Sequence, residues 1–100
     1  MILYNVTVNI APEVHMEWLE WMKHKHIPDV LSTGLFIENR IFRVLTTEED
    51  EGFTYSVQYF LDSMEKYETY REVFAPALQA EHTEKYRDQF VAFRTLLETA

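Results

Sequence analysis

Residues 18–36 read WLEWMKHKHIPDVLSTGLF, and this stretch decides the fold because it joins an amphipathic helix to a strand. Val14, Trp18, Trp21, Met22 and Lys25 recur at three- and four-residue steps, with Leu19 beside them. They form one apolar stripe that runs to about His26. Ile27 stands before Pro28, which biases it out of the helical region, so the helix is predicted to end or kink there. Asp29 to Thr33 fit one further turn, and Gly34 marks the entry to a strand.

Working outward, residues 2–10 place Ile2, Tyr4, Val6, Val8 and Ile10 on one face and Leu3, Asn5, Thr7 and Asn9 on the other. Alternation sustained over nine residues is a strand signal. Pro12 and Glu13 suit a first helical turn. Downstream, residues 35–46 (LFIENRIFRVLT) read as a second strand and residues 53–61 (FTYSVQYFL) as a third. The acidic stretch TEEDEG turns between them, with Glu48 to Glu51 as a solvated hairpin tip and Gly52 tolerating positive φ. Asp62 and Ser63 offer caps, with Glu65 placed as in a capping box, ahead of a stripe of Met64, Tyr67, Tyr70 and Phe74. Pro76 is predicted to break this helix or start a new segment, in which Leu78, His82 and Tyr86 share a face; residues 89–98 form the last strand.

The order β-α-β-β-α-β in 100 residues predicts one ferredoxin-like α+β domain spanning 1–100, with a four-stranded antiparallel sheet and both helices on one face. The strands carry large apolar groups on both faces: Tyr55, Val57 and Tyr59 alternate with Phe60, and Phe90 with Val91 and Phe93. A sheet apolar on both sides needs a cover on both sides, and a second copy is the simplest one, so a homodimer is expected.

Composition bounds the partners. The formal charge is −8, from 17 acidic and 9 basic residues, and no basic stripe offers a nucleic-acid footprint or a hold on an anionic membrane surface. No apolar run approaches the ~20 residues that span a bilayer. MILYNVTVNI lacks a basic leader and reads as a strand rather than a signal peptide. There is no cysteine, hence no disulfide, thiolate catalyst or Cys-based zinc site, and the expected address is the cytoplasm. His24 and His26 lie two apart and point apart on a helix, and no H-x-x-x-H pattern occurs, so neither a metal site nor a cofactor is expected.

The segment W-x-x-W-x-x-x-x-H-I-P-D-V-L-x-T-G-L-F resembles the helix-His-Pro-turn-strand passage of the dimeric α/β-barrel superfamily. More narrowly, MILYNVTVNI, HIPDVL and FAPALQAEHTEKYRDQFVAFRTLLE together are similar to a family of short bacterial proteins of unknown function, over nearly the whole chain. The resemblance implies two ferredoxin-like subunits that join their sheets into one barrel. Wider relatives include cofactor-free monooxygenases, muconolactone-type isomerases and haem-handling proteins. In several of these a ligand pocket lies between helices and sheet.

His26 is the candidate catalytic base, its intrinsic pKa suiting proton transfer near neutrality. The plainer reading makes it a cap on the last carbonyls of helix 1. Trp18 and Trp21 belong to the core by their stripe, but bulky indoles can also wall an apolar pocket. Their N–H groups need partners, for which Asn5, Asn39, Thr7 and Gln58 are available. Tyr4 and Tyr59 complete the expected walls, and Arg40 is the expected polar contact. Asn5, Asn39, Arg40, Arg43, Gln58 and Arg94 interrupt apolar strands and must be paired, buried or lining a cavity if both faces are covered. Glu38 is placed to pair with an arginine, and strand arginines fix dimer register or bind an anion. Two functions stay open, and with them whether the chain catalyses anything. One is a pocket for an apolar or aromatic small molecule between helix 1 and the sheet, with cofactor-free oxygenation or isomerisation as the chemistry. The other is a non-catalytic homodimeric module, which expects no cavity of ~300 Å3 near Trp18 and His26.

Overall fold

The structure is a computed structural model that describes residues 1–46 and 51–100. Strands β1 (Ile2–Ile10), β2 (Glu38–Arg43), β3 (Phe53–Leu61) and β4 (Phe90–Glu98) form one antiparallel sheet in the order β2-β3-β1-β4. This is the ferredoxin-like arrangement that the alternating pattern predicts. Most of the predicted hairpin tip, Glu48 to Asp50, lies outside the described residues.

Strand parity sorts the side chains. Ile2, Tyr4, Val8 and Ile10 of β1 and Tyr55, Val57, Tyr59 and Leu61 of β3 point toward the helices and are buried there. β2 is shorter than the sequence suggests. Its ladder begins with Ile37 N–H bonding Phe60 C=O at 2.8 Å, while Phe36 leaves the ladder to pack its ring on Tyr59 and Tyr70, at 5.3 and 4.9 Å between centroids.

Two helical arms cover that face. The first runs through a 3-10 turn (Pro12–Val14), α1 (His15–Trp21), a π turn (Met22–His26) and α2 (Ile27–Leu31). The second comprises α3 (Met64–Thr69), a π turn (Tyr70–Phe74) and α4 (Ala75–Lys85). Pro28 and Pro76 each stand in the first turn of a new α-helical segment, as the expectation of a kink or a new segment allows, but the chain stays helical across both. In each arm the residue before the proline closes a widened turn: Ile27 N–H bonds Met22 C=O, and Ala75 N–H bonds Tyr70 C=O. A proline in a regular α-helix loses a hydrogen bond and collides with the carbonyl four residues back. One five-residue step just ahead of it changes that spacing and lets the chain stay helical. At the second arm, Ser63 is the cap, its Oγ accepting from Lys66 N–H at 3.2 Å, while Asp62 pairs with Lys66 Nζ at 3.1 Å.

The other face of the sheet is open. Its centre is a polar chain: Ser56 Oγ donates to Asn5 Oδ1 at 2.6 Å, Asn5 Nδ2 to Thr7 Oγ1 at 3.0 Å, and Gln58 Nε2 to Ser56 Oγ at 3.2 Å. Apolar groups flank it, with Val91 71% and Phe93 60% exposed on β4 and Phe42 51% exposed on β2.

Gly52 enters β3 with φ +109°, and a Cβ there would sit 2.6 Å from Asn9 Oδ1 and 2.8 Å from Ile10 C=O. Replacing Gly52 with Ala is expected to destabilise the fold by roughly 2 kcal/mol, from backbone strain and collision. Urea unfolding checks this, and an unchanged midpoint would contradict it.

Candidate functional site

The site grows from three alternating strands and the two π turns above them. Inward parity brings Tyr4, Val6 and Val8 from β1, Val57 and Tyr59 from β3, and Phe90, Ala92 and Arg94 from β4 to the same layer. Ala92 is small and leaves a gap. Met22 and His26, the two ends of the first π turn, and Tyr70, the start of the second, roof it, together with Gln79, His82 and Thr83 of α4. The resulting cavity is about 40 Å3, room for about three waters. A second space of about 160 Å3 adjoins it, sharing Tyr4, Tyr70, Gln79 and Arg94 and adding Tyr67, Arg71 and Ala75.

One end is an imidazole cluster. Trp18, wholly buried, donates its indole N–H to His82 Nε2 at 2.9 Å. This fixes neutral His82 with its proton on Nδ1. The His82 ring lies 4.4 Å from Phe90, 5.8 Å from Trp21 and 5.8 Å from His26, while His26 stacks on Trp21 at 5.2 Å. Burial, aided by His26 and Arg94, holds His82 down at about 4. Burial also lowers His26, against the pull of the Glu81 and Asp29 carboxylates. Both imidazoles are therefore neutral near pH 7. Among the described residues, the buried His26 Nδ1 has no hydrogen-bond partner.

The other end is phenolic. Tyr4 packs against Tyr59, Tyr67 and Tyr70 with centroids 5.9, 5.5 and 5.7 Å apart, and its hydroxyl accepts from Arg94 Nε at 3.1 Å. Burial raises Tyr4 above the ordinary phenol despite the Arg94 charge. It raises Tyr59 and Tyr70 as well, so these hydroxyls keep their protons.

Of the residues singled out by sequence, Tyr4, Tyr59 and His26 line the cavity. Trp18 and Trp21 stand behind it as supports for the two histidines. The indole of Trp18 finds its partner in His82, not in the strand amides that the sequence offers. His26 does not cap a helix end, because the arm continues to Leu31. Arg40 lies away from the cavity: it shares the open face with Gln58, pairs with Glu38 of its own strand at 2.7 Å and sits over Phe60 at 5.9 Å. Sequence reasoning gave no site role to Tyr70, Gln79 or His82, and counted Arg94 only among the strand residues that must be paired, buried or lining a cavity. For Arg94 the signal was present, since Phe90, Ala92 and Arg94 share the parity that faces the helices. The cavity also draws on the second arm, not on helix 1 alone. The space beside His26 is below the ~300 Å3 of an ordinary ligand pocket, as the module reading expects. Among the described residues there is no group of three or more His, Cys, Asp or Glu placed to hold a metal, and no helix is long and apolar enough to cross a membrane.

Solved structures of the same fold cover the chain end to end. An ethyl tert-butyl ether D (EthD) family protein from Bacillus halodurans is 13% identical with a TM-score of 0.69, and the match covers 100% of both chains. MhuD, in a mutant form with two manganese protoporphyrin IX bound per active site, is 16% identical with a TM-score of 0.72, covering 100% of this chain and 95% of that one. A dimeric ferredoxin-like protein from an uncultured marine organism is 18% identical with a TM-score of 0.68, covering 99% and 94%. At these identities the likeness is one of fold, and the functions named differ too widely to choose among. No functionally curated protein matches the sequence. The family model for DUF4286, a domain of unknown function, matches residues 1–100, and the chain belongs to that family.

Proposed function

We propose that this protein is a homodimeric binding protein for a small aromatic molecule, held between the helical arms and the sheet. The observation that carries the reading is the pair of adjoining spaces beneath the two π turns, walled by Tyr4, Tyr59, Tyr67 and Tyr70 and closed by two neutral imidazoles. Widened helical turns recur at functional sites, and both of those here contribute to the lining. The larger space, about 160 Å3, is comparable to the ~150 Å3 cavity that accepts a benzene ring. Where the bound molecule reacts, His26 is the proton-handling group, neutral and able to accept a proton, in a cofactor-free oxygenation or isomerisation.

The homodimer covers the open sheet face. Val91, Phe93 and Phe42 flank the Asn5–Ser56–Gln58 chain, and a two-fold partner that brings the same groups buries apolar against apolar. The dimeric character of one fold neighbour supports this reading.

The small size of the space beside His26 favours a second reading, a non-catalytic homodimeric module. Native mass spectrometry of protein purified gently from a cell extract separates the two. The pocket reading expects a dimer carrying a small mass that is released on denaturation. A dimer free of any added mass favours the module. Substituting Phe93→Asp is expected to turn the dimer into a folded monomer, read by light scattering after size exclusion, and a persistent dimer would show that this face is not the interface.

A further inference from the structure

We propose that the ligand of this pocket is an aromatic acid, bound as its anion with the charged group on the Arg94 guanidinium beside the Tyr4 hydroxyl. This rests on the reading of the two spaces as a ligand pocket and names the chemical class it takes.

The first support is the distribution of charge. The chain carries 17 acidic residues against 9 basic ones, yet among the described residues no carboxylate lines either space. Arg94 lines both of them. Arg40, Arg71 and Arg87 each hold a carboxylate, at 2.7, 2.6 and 2.9 Å. Arg94 differs: its Nε donates to the Tyr4 hydroxyl, and no carboxylate among the described residues takes its two Nη groups. A guanidinium presents paired donors that match a carboxylate in bidentate fashion. Arg94 is exposed at the edge of this aromatic-walled space, so an anionic ligand can reach its Nη groups from solvent.

The second support is size and shape. The larger space fits one ring, and Tyr4, Tyr67 and Tyr70 offer faces and edges for it. The Gln79 amide lines both spaces and can donate to an acid oxygen. An amine of the same shape would meet Arg94 with no carboxylate to receive it, so the pocket discriminates by charge. Binding an anion also removes part of the repulsion that Arg94 exerts on His26 and His82. Both imidazoles therefore become more basic when the pocket is filled.

The test uses the intact protein and four probes: benzoate, benzamide, benzylamine and acetate, each titrated by calorimetry or ligand-observed NMR. The wild type is expected to bind benzoate at least tenfold more tightly than benzamide, with benzylamine and acetate weaker still. Arg94→Met is expected to erase the preference for benzoate while still binding benzamide. Arg94→Lys, which keeps the charge and loses the fork, is expected to fall between them. Circular dichroism confirms that each variant is folded. Equal binding of benzoate and benzamide by the wild type, or a preference that survives Arg94→Met, would overturn the assignment and leave the pocket reading standing. Acetate binding as tightly as benzoate would also overturn it, because the ring would then contribute nothing. Failure of every ring compound to bind would remove the pocket reading itself.

Discussion

Replacing Trp18 with alanine is expected to cost about 4–8 kcal/mol of stability. The indole is wholly buried between α1 and the sheet, with Tyr55 5.3 Å away between ring centroids. Truncating a buried tryptophan costs about 3–5 kcal/mol in lost burial and cavity formation. The same change strips His82 Nε2 of the indole donor, and an orphaned buried acceptor costs about 1–3 kcal/mol more. Small proteins have only about 5–15 kcal/mol in total. Trp18→Phe separates the two contributions: it keeps most of the volume, loses the hydrogen bond, and is expected to stay folded with a loss of about 1–3 kcal/mol. Urea unfolding followed by circular dichroism reads both variants. A Trp18→Ala protein that unfolds cooperatively within 2 kcal/mol of wild type, a margin well under the cavity cost alone, would contradict this view of the core.

Acid should destabilise the protein through His82 as well as through its carboxylates. In the unfolded chain His82 takes up its proton near 6.5, whereas in the folded chain it does so only near 4. Between those values the unfolded chain holds more protons, so stability is intact above about 6.5 and is lost as the pH falls toward 4. The gap from 6.5 to about 4 is worth about 3 kcal/mol when fully expressed. Burial of His26 adds to the loss in the same direction. His82→Gln removes the titration while offering an amide oxygen where Nε2 accepts from Trp18. The variant is expected to lose about 3 kcal/mol less than wild type between pH 7 and pH 4. Carboxylate titrations are common to both proteins and cancel in the difference. Parallel loss of stability with falling pH in the two would contradict the assignment of a buried neutral His82.

The fold was legible wherever the chain repeats with a local period. Strand β1 matches its predicted span of residues 2–10 and β3 matches 53–61, because alternation is a local signal that burial on one face reinforces. Pro28 and Pro76 marked new helical segments, as read, but not the widened turn before each, which lies in the hydrogen bonding of the preceding residues. Residues 35–36 misled because apolar character does not tell a ladder residue from one whose ring packs across the layer, as Phe36 does. Of the cavity lining, the strand residues were legible by parity. Tyr4 and Tyr59 face inward as alternation requires, and Arg94 obeys the same rule. Arg40 faces the open side with Gln58, so parity argued against it. What sequence could not supply were pairings across the fold. Trp18 and His82 lie 64 positions apart, and the contact of His26 with His82 depends on how the first π turn rotates that side chain over the sheet.

The proposed place for a small aromatic molecule is the space between the imidazole and phenol ends. Titrating benzoate into protein with 15N-labelled histidine, observed through imidazole resonances by NMR, addresses it most directly. Saturable shifts are expected at His26 and His82, with none at His24, which is exposed and paired with Glu20. Resonances of His26 and His82 that stay fixed at saturating ligand would contradict that placement.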